Sequence, residues 1–233
     1  MNSLTRQIPN AITCLNILSG TAAIISAAHG HDPFLGLDGF SWAYIFIGIA
    51  AVADFCDGLA ARLLKAYSEL GKELDSLCDC VSFGVAPAVM LWRLMQYGDH
   101  PWFGWCALLI AAAGAVRLAR FNIDTRQATS FIGLPIPANA IFWIGYVAMA
   151  SGGADFLLSP WVFIPVLLVE CWLMNSPLHI FSLKLKNLKW RGNEVRYLLV
   201  VAAIALVVSL GVGGLLWLIV VYVLLSLLPI SRH

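Results

Sequence analysis

The sequence predicts an all-α integral membrane protein of about eight transmembrane helices, and three observations carry that expectation. Of 233 residues, 61% are hydrophobic and 12% charged, with a mean hydropathy of +0.85, outside the range of water-soluble domains. Apolar runs near the 20 residues needed to cross the hydrocarbon recur between polar or Pro/Gly-rich breaks. The basic residues then sort to one side of the resulting layout. With a formal net charge of only +1, no nucleic-acid partner is expected.

The first run, 11–28, follows MNSLTRQIPNAIT, which has little basic character; no small-residue cleavage site follows the run, so it is read as a retained span. Runs 40–64, 77–97 and 102–121 follow, each closed by polar residues. The fifth, 135–151, is short, and the sixth covers 156–174. The last two, 195–210 and 213–230, are separated only by the turn GVGG. Between the sixth and seventh lies the longest non-spanning stretch, the basic loop 175–194. Its SLKLKNLKWR segment interleaves basic and apolar residues, which suits either an ordinary cytoplasmic loop or an interfacial segment drawn to anionic headgroups. No internal repeat or separate soluble domain is visible, so residues 1–233 read as one membrane domain.

With both termini inside, 13 of the 14 Lys and Arg residues fall on or near the cytoplasmic side. Arg93, near the outer end of the third span, is the exception and can snorkel to the interface. The outer loops carry Asp32, Asp38, Asp99 and Asp155 with His29, His31 and His100. The 6 cysteines sit mostly in apolar runs, forming neither a disulfide framework nor paired CxxC knuckles, and read as small hydrophobes.

Against this background the stretch DFCDGLAARLLKAYSELGKELDSLCD stands out. Asp54, Asp57, Gly58, Ala61 and Arg62 follow one another at helical spacing and share a face of the second span. Asp75 and Asp79 share a face at the start of the third, and the short connection makes the two helices antiparallel neighbours. Asp54 lies about 20 Å from the outer end of its span, in the cytoplasmic third. Four ionised carboxylates at that depth repel one another and each costs several kcal/mol to desolvate, so they must be protonated, paired or metal-bound. Arg62 cannot balance four charges. An all-carboxylate set suits Mg²⁺, Mn²⁺ or Ca²⁺, whereas zinc would call for His or Cys. Mg²⁺ completes its shell with water and substrate phosphates, which points to phosphoryl chemistry on a lipid-linked phosphate. Gly58 and Ala61 clear bulk from this face for a ligand, or alternatively serve close helix packing. Structural ion pairing is the corresponding alternative for the aspartates.

Written as D-x2-D-G-x2-A-R-x8-G-x3-D-x3-D, through Asp54, Asp57, Gly58, Ala61, Arg62, Gly71, Asp75 and Asp79, the stretch resembles the signature of the CDP-alcohol phosphotransferases. LDSLCDCVSFGVAPA, RLARFN and FIGLPIPANA resemble the phosphatidylserine synthase branch, and IPNAIT resembles the segment preceding the family's first helix. The resemblance implies a six-helix catalytic core over 1–174, with 195–233 as an additional helix pair. It implies transfer of a phosphatidyl group from CDP-diacylglycerol to L-serine with release of CMP, in a multi-pass protein of the bacterial inner membrane whose site faces the cytoplasm. Asp54, Asp57, Asp75 and Asp79 would hold two Mg²⁺ or Mn²⁺ ions, and Asp79 would also be the general base. Gly58 and Ala61 would make room for the cytidine, Arg62 would contact the nucleotide or its phosphates, and Gly71, Asn10 and Thr13 would complete the donor pocket. Asn10 and Thr13 equally suit helix capping.

For the acceptor, Arg117 and Arg120 share a face at the cytoplasmic end of the fourth span. Either can grip the serine carboxylate bidentately, with Asn122 and the loop 133–137 shaping the pocket. Both can equally be membrane anchors or hold the donor's phosphates. Homodimers are common in the family, and membrane lipids are its surroundings. Two rivals remain. One is the same chemistry on glycerol phosphate, inositol phosphate or choline. The other is an ion-coupled transporter, which the clustering of the aspartates on one side disfavours; Glu170 is the only other acidic residue well inside a span.

Overall fold

The computed structural model describes residues 3–123, 131–181 and 193–227. Apart from two short antiparallel pairings, the described residues form helices joined by turns, as the apolar periodicity requires. They pack as two compact units, Met1–Ala119 and Arg120–His233.

In the first unit α1 (Ser3–His29) is the common partner, packing against α2 (Gly39–Leu63), α3 (Glu69–Asp79) and α4 (Ala86–Met95). The strands β1 (Pro33–Phe34) and β2 (Leu37–Asp38) turn the chain between α1 and α2, with Pro33 opposite Asp38. Asp38 then caps α2: its Oδ1 accepts from the Ser41 backbone N–H at 3.0 Å and its Oδ2 from the Ser41 hydroxyl at 2.5 Å. The Ser68 hydroxyl caps α3 in the same way, accepting from the Gly71 N–H at 3.0 Å.

The helix from Glu69 to Met95 is continuous over 27 residues, so it starts before the third apolar run and carries Asp75 and Asp79 well inside it. Directly after Asp79 it widens to a π-helical turn, Cys80–Val85, in which the Ala86 N–H reaches back to the Val81 carbonyl. Pro87 explains the wide turn. It has no N–H to give the Phe83 carbonyl four residues back, and its ring crowds that position. A 3₁₀ segment, Pro101–Ala107, leads into α5 (Leu108–Ile123), which runs past the end of the first unit. Arg93, the basic residue out of pattern, is paired: its guanidinium meets Asp32 at 3.2 Å and lies 5.1 Å from the Tyr97 ring centroid.

The second unit, which takes in the last residues of α5, contains β3 (Phe131–Ile132), paired antiparallel to β4 (His179–Ile180). Between them run α6 (Ile136–Ser151) and α7 (Pro160–Asn175), followed by α8 (Glu194–Leu210) and α9 (Gly214–Leu227). The core of this unit is aromatic. Trp143 donates to the Asn139 side chain at 2.9 Å, Tyr146 to the Leu157 carbonyl at 2.6 Å, and Tyr222 to the Phe181 carbonyl at 2.9 Å. The loop 133–137 is pinned at its start: Gly133 has φ +76, a Cβ there would run into the Met174 carbonyl, and its N–H bonds the Leu178 carbonyl at 2.7 Å.

Each of the eight runs read from the sequence is helical over most of its described length. By length and composition five described stretches suffice to cross a membrane: Gln7–His29, Gly39–Leu63, Glu69–Met95, Pro101–Ile123 and Glu194–Leu227. The last is two helices packed on each other, α8 and α9, broken at Gly211–Gly213. α6 and α7, with 16 residues each, are shorter. The SLKLKNLKWR segment, Arg126 and the residues after Leu227 lie outside the described residues.

Candidate functional site

Three carboxylates meet. Asp54 and Asp57 come from α2 and Asp75 from α3, and one oxygen of each lies within 4.8 Å of the other two. The faces of α2 and α3 meet as their spacing predicts, with the Asp54 and Asp75 side chains in hydrogen-bonding contact, and α1 packs against both helices. Asp57 is 6% exposed, and Asp57 Oδ2 and Asp75 Oδ1 are buried without a hydrogen-bond partner among the described residues. The charged neighbours that Asp54 feels are Asp75 and Asp57. Three carboxylates gathered this closely, with no His or Cys among them and two of their buried oxygens without a partner among the described residues, fit a hard divalent cation.

Asp79, one helical turn further along α3, is not part of that three-oxygen group. It is 7% exposed, and its Oδ1 accepts from the Asn16 amide at 2.9 Å. Asn16 is itself fully buried, its backbone carbonyl accepts from the Ser82 hydroxyl at 3.0 Å, and its Oδ1 has no partner among the described residues. One turn on, a Cβ at Gly20 would collide with the Ser82 side chain, so a glycine is needed for α1 to approach the wide turn this closely. The sequence reading missed Asn16. Its signal was available: Asn10, Thr13, Asn16 and Gly20 recur at three- and four-residue intervals along one face of an otherwise apolar helix.

Beside the carboxylates lies a pocket of about 210 Å³, walled by α1, α2, α3 and the turn between the last two. Of the residues singled out from sequence, Asn10, Thr13, Asp57, Gly58, Ala61, Gly71 and Asp75 line it. Tyr67, Ser68 and Lys72 line it too, and sequence reasoning did not name them. A Cβ at Gly58 would meet nothing within 4 Å, so this glycine opens space; close helix packing would have put atoms there. Gly71 is tighter, with Ser68 Oγ and Asn10 Oδ1 at 3.0 and 3.1 Å from such a Cβ.

The capping role considered for Asn10 and Thr13 is corrected. α1 starts at Ser3, so both sit in the helix interior, where Asn10 bonds Gln7 at 3.3 Å and Thr13 bonds the Pro9 carbonyl at 3.0 Å. Thr13 also stands within hydrogen-bonding reach of Asp57. Arg62 is exposed and folds back on its own helix, its Nε donating to the Gly58 carbonyl at 2.9 Å.

The two arginines of α5 have different surroundings. Arg117 is 5% exposed, whereas Arg120 is exposed and donates to the Asn175 carbonyl at 3.3 Å. Asn122 is half-buried.

Comparison with known proteins gives a consistent result. The family model described as CDP-alcohol phosphatidyltransferase matches residues 6–175, a range that includes every residue of the pocket and Asn16. A Bacillus subtilis protein named CDP-diacylglycerol–serine O-phosphatidyltransferase is 40% identical over 131 residues, 56% of this chain and 69% of that protein. A protein of the same name from Mycobacterium leprae is 39% identical over 163 residues, covering 66% and 51%. One from Methanocaldococcus jannaschii is 37% identical over 144 residues, covering 62% of each chain. The alignments thus span from about half to about two thirds of these relatives' own length.

Proposed function

The chain belongs to the CDP-alcohol phosphatidyltransferase family, and from that premise we propose that it transfers the phosphatidyl group of CDP-diacylglycerol to the hydroxyl of L-serine, giving phosphatidylserine and CMP. The observation that carries the chemistry is the convergence of Asp54, Asp57 and Asp75 beside a pocket opened by Gly58, with one oxygen each of Asp57 and Asp75 lacking a hydrogen-bond partner among the described residues. The choice of serine rests on the relatives' names and on the motifs after Asp75.

Asp54, Asp57 and Asp75 would hold Mg²⁺ or Mn²⁺, with Asp79 available toward a second ion. Held there, such ions supply charge neutralisation to the diphosphate and to the departing CMP. The pocket residues orient the donor: Gly58 and Ala61 leave room for the cytidine, while Asn10, Thr13 and Gly71 shape the opposite wall. Arg62 reaches the nucleotide phosphates by releasing its bond to the Gly58 carbonyl. The serine oxygen attacks the lipid-bearing phosphorus, the bond from that phosphorus to the CMP oxygen breaks, and the hydroxyl proton passes to the Asp79 carboxylate. Asn16 fixes one Asp79 oxygen, which leaves the other to accept the proton. Arg117 or Arg120, with Asn122, binds the serine carboxylate. The protein works as a homodimer among membrane lipids, with its site toward the cytoplasm of a bacterial inner membrane.

The test is CMP release from labelled CDP-diacylglycerol by the purified chain in detergent, with a panel of acceptors. Release that depends on L-serine and yields phosphatidylserine is expected. Release with glycerol phosphate, inositol phosphate or choline but not serine would move the chain to another branch, and no release with any acceptor would remove the proposal.

A further inference from the structure

The second unit holds a cavity that this chemistry does not use. It measures about 350 Å³, at the small end of the range for ligand sites, and is built from α6, α7 and α9. Its walls, among them Phe142, Pro165, Ile219 and Val223, are apolar except for one group, Glu170. Glu170 is 4% exposed, and its Oε2 has no hydrogen-bond partner among the described residues. Val169 and Leu224 also line the cavity and are 54% and 58% exposed, so it opens on the outer surface of the helices, the surface that hydrocarbon covers in a membrane.

The occupant must satisfy two conditions at once. Apolar walls select a hydrocarbon chain. The carboxyl group selects something polar at a fixed depth, because a carboxylate without a cation is heavily penalised there and a carboxylic acid needs an acceptor for its O–H. Glu170 lies five residues before the end of α7 at Asn175, about 8 Å along the helix axis. With the end of α7 at the headgroup level, that depth is where a glycerolipid presents its acyl-ester carbonyls, its headgroup charges lying further out. The esters are acceptors attached to hydrocarbon chains, which is the combination the cavity offers to bind.

We propose that the cavity takes the upper acyl segment of a membrane glycerolipid, with the Glu170 carboxyl donating a hydrogen bond to an acyl-ester carbonyl. The bound lipid is a fixed companion of the second unit and is not the one transformed. No residue of this cavity belongs to the carboxylate pocket.

The experiment titrates the purified full-length chain, in detergent, with phosphatidylglycerol carrying either ester-linked or ether-linked chains, and follows thermal unfolding. The ether lipid keeps headgroup and hydrocarbon but lacks the carbonyls. Wild type should half-saturate with the diester at about fivefold lower concentration than with the diether, as loss of one hydrogen bond implies. Glu170→Leu should bind both lipids alike, Glu170→Gln, which keeps an N–H donor, should retain the preference, and Val223→Phe, which fills the cavity, should abolish it. A wild type that does not distinguish the lipids overturns the proposal. So does a preference that survives in Glu170→Leu or in Val223→Phe. None of these readouts uses CMP release, so they stand or fall apart from the proposed reaction.

Discussion

Two regions of this molecule bury acidic groups in apolar surroundings, and they do it in opposite ways. In the first unit the carboxylates come in company. Three converge, a fourth is held by an amide, and the pocket beside them carries polar residues from three helices and a turn. In the second unit Glu170 is, among the described residues that line its cavity, the one acidic group between aliphatic and aromatic walls. Clustered carboxylates sharpen one another's need for positive charge, which is what a metal-assisted phosphoryl site requires. A solitary one needs only a single hydrogen-bonding partner. Burial alone therefore does not mark a reaction centre; what the buried group has for neighbours does.

The strongest way to break this contrast is to neutralise one member of each region. Asp75→Asn or Asp54→Asn should bring CMP release to background with the fold intact, whereas Glu170→Leu should leave turnover close to wild type. Removal of divalent ions with a chelator should reproduce the first effect, with recovery on adding Mg²⁺ or Mn²⁺. Full activity after thorough chelation would reduce the carboxylate cluster to a structural feature.

Within the first region, Asp79 and its amide partner test whether the company is organised. Asp79→Asn should lower turnover by about 10² to 10⁴ while nucleotide binding changes far less, since a base acts in the transition state. Asn16→Ala should cost about tenfold in kcat, the value of one charge-assisted hydrogen bond, with the donor KM nearly unchanged. If the Asp79 variant fails to bind nucleotide but turns over normally at saturation, Asp79 is a ligand and the base lies elsewhere.

A smaller effect is expected at the acceptor. Arg120→Lys keeps the charge and loses the planar fork, so the serine KM should rise with the donor KM little changed. Normal serine KM in both Arg120→Lys and Arg117→Lys would withdraw the arginines from the acceptor site.

The smallest effect lies outside both regions, at the cap of α2. Burial by itself would raise the Asp38 carboxyl, but hydrogen bonds from the Ser41 hydroxyl and backbone, with His31 nearby, hold it below its ordinary range. Asp38→Ala should cost about 1 kcal/mol in thermal or denaturant unfolding. Because the folded-state value is depressed, this contribution is fully present above the unfolded value of about 4 and is lost as the pH falls through the folded one. A variant with the wild-type stability at pH 7 would show that the cap carries nothing.

Much of the site was legible because its parts are written as a local pattern. Asp54, Asp57, Gly58, Ala61, Gly71 and Asp75 sit on two consecutive helices joined by a short turn, so spacing alone brings them to one place. What escaped was non-local or sparse. Asn16 reaches Asp79 across 63 positions of sequence, and although it shares a helix face with Asn10, Thr13 and Gly20, that spacing does not name its distant partner. The start of α3 escaped because hydropathy rejects ELGKELD, although Ser68 caps it and its acidic and basic residues are good helix formers. Arg62 was read from its place on the aspartate face, and its bond to the Gly58 carbonyl on its own helix was not legible there. The eight helical runs were legible as elements. The division into two packed units was not, since no linker composition marks residue 119.

The wide turn after Asp79 acts as a phase shifter. In a regular helix each residue advances the screw by about 100°, so one residue more or fewer re-aims everything downstream. The loosened turn at Cys80–Val85 absorbs that advance between the half that carries Asp75 and Asp79 and the half, from Ala86 to Met95, that is buried in the core. The two halves can therefore be in register with different partners. Trimming one residue from this turn would leave the composition, the hydropathy and the motif intact, yet it would rotate the aspartates about a quarter-turn out of step with the core behind them.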